Sequence, residues 1–178
     1  MDSRKGKTMK KVIICSVAVV LVLVLFFLSA FSVFGMKNPV ENSVRFSMTD
    51  LAIKMLNGSP DNSSRHDEAA SLFLTYSDKV LFDRSAEVCY RMVKGGIFYR
   101  LVDVTYTFGV SDGEDAKQLF EKLTEELQAK YRDNENYFSE TSEDGKETRF
   151  GLNFGATSLD ITVTRKDGPV KVYVSYLS

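Results

Sequence analysis

One uninterrupted apolar stretch lies near the N-terminus, and apolar and polar positions alternate through much of the chain after it. Residues 12–35 carry no charged side chain and consist mainly of Val, Leu and Phe. A helix of this length would measure about 36 Å, enough to cross a hydrocarbon layer of about 30 Å with some tilt. The pattern therefore predicts a transmembrane helix that contacts the lipid bilayer through residues 12–35.

A short helical pattern follows this stretch. Thr49 can cap a helix that runs from residue 50 to about residue 57, with Leu51, Met55 and Ile53 turned inward. The sequence Asn-Gly-Ser-Pro at 57–60 predicts the end of this helix, and a polar loop is predicted from there to about residue 65.

A longer amphipathic helix is predicted in the middle of the domain. Ser111 and Glu114 have the spacing of a capping box, which predicts the start of the helix at this point. Apolar residues then recur at helical spacing and define one stripe, which must be buried against a sheet to be stable. The stripe consists of Ala116, Leu119, Phe120, Leu123 and Leu127.

Alternating apolar and polar residues predict strands on both sides of the long helix. The segment 97–108 has apolar residues on both faces, with Leu101 on one face and Val104 on the other. A strand of this kind is expected to lie in the middle of a sheet. After the helix, Asp-Gly at 144–145 and again at 167–168 predicts hairpin turns between alternating segments.

These patterns predict an α+β fold and divide the chain into four segments. Residues 1–11 form a basic cytoplasmic tail, residues 12–35 a transmembrane signal-anchor, residues 36–48 a tether and residues 49–178 an extracytoplasmic domain. The domain is expected to have two layers: a mostly antiparallel sheet, one long amphipathic helix and one short helix. Each helix precedes a meander of strands, which is a repetition of topology without matching residues.

The distribution of basic residues predicts the orientation in the membrane. Five Lys and Arg residues precede the apolar stretch, whereas only Lys37 and Arg45 occur in the ten positions after it. Under the positive-inside rule the N-terminus stays in the cytoplasm and the domain crosses the cell membrane, as in a single-pass protein. The stretch is longer than the apolar region of a usual signal peptide, which favours retention. Small residues near its end leave cleavage and secretion as the alternative.

The charge of the domain argues against a nucleic-acid-binding role. From residue 36 onward, 18 Lys and Arg residues stand against 23 Asp and Glu residues, and no basic stripe is present. A phosphate-binding surface would need such a stripe. We therefore expect no nucleic-acid partner.

The sequence has no recognisable catalytic or metal-binding motif. His66 is the only histidine, and no Gly-x-Ser-x-Gly or Gly-rich phosphate-binding motif occurs. Cys15 is predicted to lie in the membrane and Cys89 in the domain, so the two cannot pair within one chain. We expect no enzyme activity, no cofactor and no metal site.

Asn57 and Asn62 each begin an N-glycosylation pattern, whose use depends on the host.

Two aromatic residues are the candidates for a binding surface. Tyr99 and Tyr173 are predicted to lie on strands and to face away from the long helix, where exposed aromatic side chains can bind a partner. Coverage of both by another segment, such as the short helix, is the alternative.

The leading functional hypothesis is a non-catalytic interaction or assembly domain with a protein partner in the cell envelope. The other is a small-molecule or peptide binder, anchored or secreted, with an apolar groove between sheet and helix.

Overall fold

The computed structural model describes residues 3–33, 35–166 and 168–177. Met1 and Asp2 of the predicted tail, Phe34 of the predicted membrane segment, Asp167 of the second predicted turn, and Ser178 lie outside the described residues. The described residues form three helices and eight strands, which confirms the α+β class. Their order is α1 (Ser3–Ala30), α2 (Asp50–Asn57), β1 (Asn62–His66), β2 (Ser71–Leu81), β3 (Arg84–Gly95), β4 (Phe98–Phe108), α3 (Gly113–Gln128), β5 (Tyr137–Thr141), β6 (Glu147–Phe154), β7 (Thr157–Thr164) and β8 (Val170–Leu177).

All eight strands belong to one antiparallel sheet with the order β1-β2-β3-β4-β8-β7-β6-β5. Each half of the sheet is a meander that follows one helix: β1–β4 follow α2, and β5–β8 follow α3. The halves meet where residues 103–108 of β4 pair with residues 170–175 of β8. The strand predicted for the middle of the sheet therefore lies there.

Helix α3 packs on the sheet through its predicted apolar stripe. All five residues of the stripe are buried, and they share one hydrophobic core with alternate residues of the sheet. Helix α2 contributes Ala52 and Ile53 to the same core and contacts β4. Because one core joins both helices to the sheet, the opposite face of the sheet is covered by neither.

The short helix has the predicted bounds but buries a different face. The Thr49 side chain caps it, accepting a hydrogen bond of 3.3 Å from the backbone N–H of Ala52. Ile53 is buried, whereas Leu51 and Met55, which were also predicted to face inward, are exposed. Residues two apart on a helix point to different sides, so these three could not share one buried face.

Helix α3 is capped by Asp112 and not by Ser111. The Asp112 carboxylate accepts hydrogen bonds from the backbone N–H groups of Glu114, at 3.0 Å, and Asp115, at 2.9 Å. Ser111 lies one residue farther out, where its own N–H donates to the Asp115 carboxylate. Ser and Asp are both favoured at this position, so residue type did not decide between them.

A bulge in β4 changes which of its residues face the core. Consecutive residues of β3 pair with Asp103 and then with Leu101, so Val102 is an extra residue on β4. Leu101 and Val104, which were predicted to lie on opposite faces, are therefore both buried in the core. An extra residue reverses the alternation of side chains beyond it, and strict alternation along the sequence does not reveal it.

Residues 36–48, predicted as a tether, are instead packed into the domain. Val44, Phe46 and Met48 are almost completely buried and belong to the core. The backbone N–H of Leu101 donates a hydrogen bond of 2.8 Å to the Met48 carbonyl, which ties this segment to β4. The spacing of two residues between the buried side chains was the signal for this arrangement.

The edge strand β1 lies where a polar loop was predicted. It pairs with β2 along its whole length, and all five of its residues are exposed. Because an exposed strand contributes no apolar side chains to the core, it leaves no apolar alternation in the sequence.

Helix α1 contains residues 12–30 of the apolar stretch, which was predicted to be helical to residue 35. Its segment Ile13–Ala30 is long and apolar enough to cross a membrane, a test that a signal sequence near an N-terminus also passes. The helix ends at Ala30, and residues 31–33 form a turn. The Ala30 carbonyl accepts a hydrogen bond of 2.9 Å from the N–H of Thr49, which connects the end of α1 to the start of α2.

Candidate functional site

The face of the sheet opposite the helices presents two rows of side chains across its central strands. Residues that are directly paired in a sheet point to the same face, and the neighbours of these residues along each strand point into the core. Both rows continue on β7, where Asp160 pairs with Ser175 and Thr162 pairs with Tyr173. Across β2, β3, β4 and β8, the first row is Phe73, Arg91, Asp103 and Ser175, and the second is Thr75, Cys89, Thr105 and Tyr173.

The two rows enclose a shallow cavity of about 250 Å³ at the centre of this face. The side chains of Phe73, Cys89, Thr105 and Tyr173 are among those that line it. Tyr173 is 40% exposed, so its ring is available to a molecule that enters the cavity. We call this region the central cavity.

An ion pair forms the polar rim of the central cavity. The Arg91 guanidinium contacts the Asp103 carboxylate, and the Ser175 hydroxyl donates a hydrogen bond of 2.5 Å to the other carboxylate oxygen. The Arg91 side chain is 46% exposed and that of Asp103 is 24% exposed. Both charges are therefore compensated within the face and still reachable from solvent.

Cys89 contributes to the apolar part of the cavity and not to its reactivity. Burial raises the pKa of the Cys89 thiol above its ordinary value, against a weaker opposing effect of a hydrogen bond with Thr75. A thiol with a raised pKa is protonated at neutral pH and is a poor nucleophile.

Of the two predicted site residues, only Tyr173 lies at the central cavity. Tyr99 is near the start of β4, partly buried against the core, with the Arg65 guanidinium 5.5 Å from its ring centre. The structure therefore does not bring Tyr99 and Tyr173 together. The bulge at Val102 separates them, because it changes the face on which the first residues of β4 lie.

A second arrangement, which the sequence analysis missed, is a buried polar cluster around Glu41. The Glu41 carboxylate accepts hydrogen bonds from the hydroxyls of Tyr90, at 2.6 Å, and Tyr106, at 3.1 Å. Lys79 forms an ion pair with the same carboxylate and donates a hydrogen bond of 2.8 Å to the Asn57 side-chain carbonyl. The cluster joins the 36–48 segment, α2 and the sheet, and we call it the Glu41 cluster.

The electrostatics of the Glu41 cluster favour a structural role. Burial and then the Glu41 charge raise the pKa of Tyr90 and that of Tyr106 well above the ordinary tyrosine value. Both hydroxyls therefore stay protonated and donate to the carboxylate. The Glu41 side chain is only 6% exposed, so substrate has no direct access to it in this conformation.

His66, Asn62 and Asn57 lie at three different places in the domain. The His66 ring packs edge-on against Phe73 at 5.3 Å between ring centres, on the edge of the sheet. Asn62 is exposed on β1, whereas Asn57 is half-buried in the Glu41 cluster. Among the described residues, no group of three or more His, Cys, Asp or Glu side chains is placed to hold a metal ion.

Comparison with known proteins adds no family to these observations. No protein-family model matches the sequence, and neither the curated proteins nor the solved structures gave a match. The geometry of the sheet face and of α1 is therefore the basis for a functional assignment.

Proposed function

We propose that this protein is a single-pass membrane protein whose extracytoplasmic domain binds a protein partner through the uncovered face of its sheet. In this proposal α1 remains in the cell membrane as a signal-anchor, the N-terminus is cytoplasmic, and the domain has a non-catalytic interaction or assembly role. The observation that carries the proposal is the central cavity, which lies between Phe73 and Tyr173 on a face that neither α2 nor α3 covers.

The size of the central cavity favours a protein partner over a small molecule. Its volume of about 250 Å³ is below the roughly 300–1,000 Å³ that is usual for small-molecule sites. A cavity of this size suits one inserted side chain. The same small volume disfavours the alternative of a small-molecule binder, which would need a larger enclosed site.

The composition of the face supports the same choice. Protein interfaces commonly have aromatic residues at the centre and polar residues at the rim. Phe73 and Tyr173 line the central cavity here, and the Arg91–Asp103 ion pair forms its polar rim. The complementary partner would insert an apolar or aromatic side chain and surround it with hydrogen-bonding groups.

Site-specific photocrosslinking in cells that produce the chain tests this proposal. A photoreactive phenylalanine analogue replaces Tyr173 in one variant and Glu121, an exposed residue of α3, in the control. We expect one protein adduct from position 173 that position 121 does not give. The adduct should disappear when Thr105→Arg fills the cavity and persist with Lys117→Arg on α3. Equal adducts from both positions, an adduct with lipid, or an adduct with a second copy of the chain would contradict the proposal.

The identified partner then allows a quantitative test with the purified full chain. Tyr173→Ala should weaken binding about 30-fold, which corresponds to about 2 kcal/mol and is typical of a central interface residue. Circular dichroism of Tyr173→Ala would check that the fold is retained. An unchanged Kd in a folded variant would remove Tyr173 from the interface.

Retention of α1 requires a separate measurement. The native protein is recovered from alkaline-washed membranes and from the soluble fraction, and the intact mass of each is determined. A full-length chain in the membrane pellet supports the signal-anchor. A soluble chain that begins near residue 33 or 36 would identify residues 12–35 as a cleaved signal peptide and the domain as secreted.

A further inference from the structure

The hairpin that joins β3 and β4 runs beside the last turns of α1. The Phe98 ring packs edge-on against the Phe26 ring, with 5.8 Å between their centres. Two residues farther along β4, the Arg100 guanidinium donates a hydrogen bond of 3.4 Å to the Ser29 hydroxyl. The chain therefore runs in the same direction along the start of β4 and along the end of α1. The tip of the hairpin, which precedes Phe98, points back along α1 toward its apolar segment.

These contacts fix the depth of the hairpin tip relative to the end of α1. Phe26 lies four residues before Ala30, or about 6 Å along the helix axis. Ile97 is the turn residue that precedes Phe98, and it adds at most about 3 Å. With Ala30 at the outer end of the membrane-spanning segment, Phe98 and Ile97 lie about 6–9 Å below it. This is close to the depth of about 5–10 Å at which apolar side chains of interfacial elements insert.

The side chains of the hairpin have the chemistry of the membrane interface. Ile97 is 88% exposed, more than any other large hydrophobic side chain of the described residues. Lys94 is exposed near the end of β3, and Arg100 lies on β4. Tyr99 lies between these apolar and basic residues, with an amphipathic ring. Aromatic and basic residues that flank an apolar tip are typical of segments at the level of lipid headgroups.

We propose that the β3–β4 hairpin inserts Ile97 and Phe98 into the outer leaflet of the bilayer that α1 crosses. Phospholipid is the partner of this surface: acyl chains contact the tip, and phosphate groups contact Lys94 and Arg100. This inference rests on the proposed function in one respect, namely that α1 is retained in the membrane. The hairpin then fixes the domain on the membrane with its strands steeply inclined to the bilayer plane. The central cavity faces sideways, toward a partner in the same envelope.

Single-tryptophan variants test this arrangement, because the chain contains no tryptophan. Ile97→Trp is the reporter variant. Val80→Trp is the matched control, since Val80 is 75% exposed and lies by the β2–β3 turn, at the opposite end of β3. Val24→Trp, within α1, reports whether the helix lies in the bilayer. The full-length variants are reconstituted in phosphatidylcholine and phosphatidylglycerol vesicles with and without brominated phospholipid, which quenches tryptophan fluorescence on contact.

The three variants separate failure of this inference from failure of the proposed function. We expect the emission of Ile97→Trp to be blue-shifted and to lose at least half as much intensity as that of Val24→Trp. Shallow bromines should quench it more strongly than deep ones, and Val80→Trp should stay unquenched. If Val24→Trp is quenched while Ile97→Trp behaves like Val80→Trp, the hairpin inference is wrong and the anchor is supported. If Val24→Trp is not quenched, the anchor is wrong and the inference fails with it.

Discussion

The hydroxyl of Tyr90 donates a hydrogen bond of 2.6 Å to the carboxylate of Glu41, across 49 residues of sequence. Because Tyr106 and Lys79 bind the same carboxylate, one side chain of the 36–48 segment holds the polar ends of three sheet residues. A buried carboxylate with these donors is well compensated. Removal of any one member would take a hydrogen-bond or ion-pair partner from another.

Glu41→Ala should be strongly destabilising, because it leaves the Lys79 ammonium without its counter-charge and removes the carboxylate that accepts from the Tyr90 and Tyr106 hydroxyls. Loss of one member of a buried ion pair costs about 3–5 kcal/mol. Urea unfolding of the detergent-solubilised full chain, followed by circular dichroism, would measure the change. Glu143→Ala, at an exposed position, is the control and should change stability by less than about 0.5 kcal/mol. A Glu41→Ala variant as stable as this control would contradict a structural role for the Glu41 cluster.

Asp112→Ala should destabilise the protein more than Ser111→Ala. The Asp112 carboxylate satisfies two backbone N–H groups at the start of α3, and loss of such a cap costs about 1 kcal/mol. The Ser111 hydroxyl makes one exposed hydrogen bond of 3.3 Å to Asp115. Loss of this hydrogen bond should lower the free energy of unfolding by only a few tenths of the amount expected for Asp112→Ala. The same unfolding assay compares the two variants. If Ser111→Ala were the more destabilising variant, Ser111 would be the capping residue, as predicted from the sequence.

Protonation of Asp115 should lower the stability of the domain at acid pH. A hydrogen bond from Arg84, followed by one from the Ser111 backbone N–H, lowers the pKa of the Asp115 carboxyl to about 2. The Asp115 carboxyl thus holds its proton less tightly in the folded chain than in the unfolded chain. Its ionised form stabilises the fold fully above about pH 4, and the contribution is lost as the pH falls to about 2.

Asp115→Asn should therefore be less stable than the parent near neutral pH, and the difference should shrink between about pH 4 and pH 2. Urea unfolding at several pH values would measure it. Arg84→Gln should show the same pH dependence, since it removes the partner that lowers the pKa. A stability difference that stays constant across this range would rule out the Arg84–Asp115 interaction as its source.

Of the two N-glycosylation patterns, only the one at Asn62 is compatible with the fold. The Asn57 side chain accepts a hydrogen bond from Lys79 and donates one of 3.4 Å to the Tyr90 hydroxyl, so a glycan on its nitrogen would disrupt the Glu41 cluster. Asn62 is exposed on the edge strand β1. In a glycosylating secretory host, the folded fraction should lose the mass of one glycan on enzymatic deglycosylation. Asn62→Gln should lose none, and two glycans on folded protein would contradict the assignment.

Periodicity predicted the elements that bury one face in a regular way. The stripe of α3 and the bounds of α2 follow from residues close in sequence, and both are confirmed. The bulge at Val102 was not predictable in the same way, because a single extra residue changes every face assignment beyond it without a local signal.

The central cavity could be predicted only in part. Tyr173 was identified from its exposed aromatic position, but its neighbours Thr105 and Cys89 were not. They come together through the pairing of β4 with β8 and of β3 with β4, and strand order is a property of the whole chain. Glu41 was missed for a related reason: its partners lie on β2, β3 and β4, and no local pattern indicates which side chains it meets.

The position of β8 has a consequence for biogenesis. Of the eight strands it comes last in chain order, yet it lies between β4 and β7 and is the link between the two halves of the sheet. As the chain is synthesised, residues 103–108 of β4 must wait with an open edge until residues 170–175 arrive. An open strand edge pairs readily with other chains, so a chain stalled before this point would be prone to aggregate. Completion of the sheet therefore depends on the arrival of this last strand.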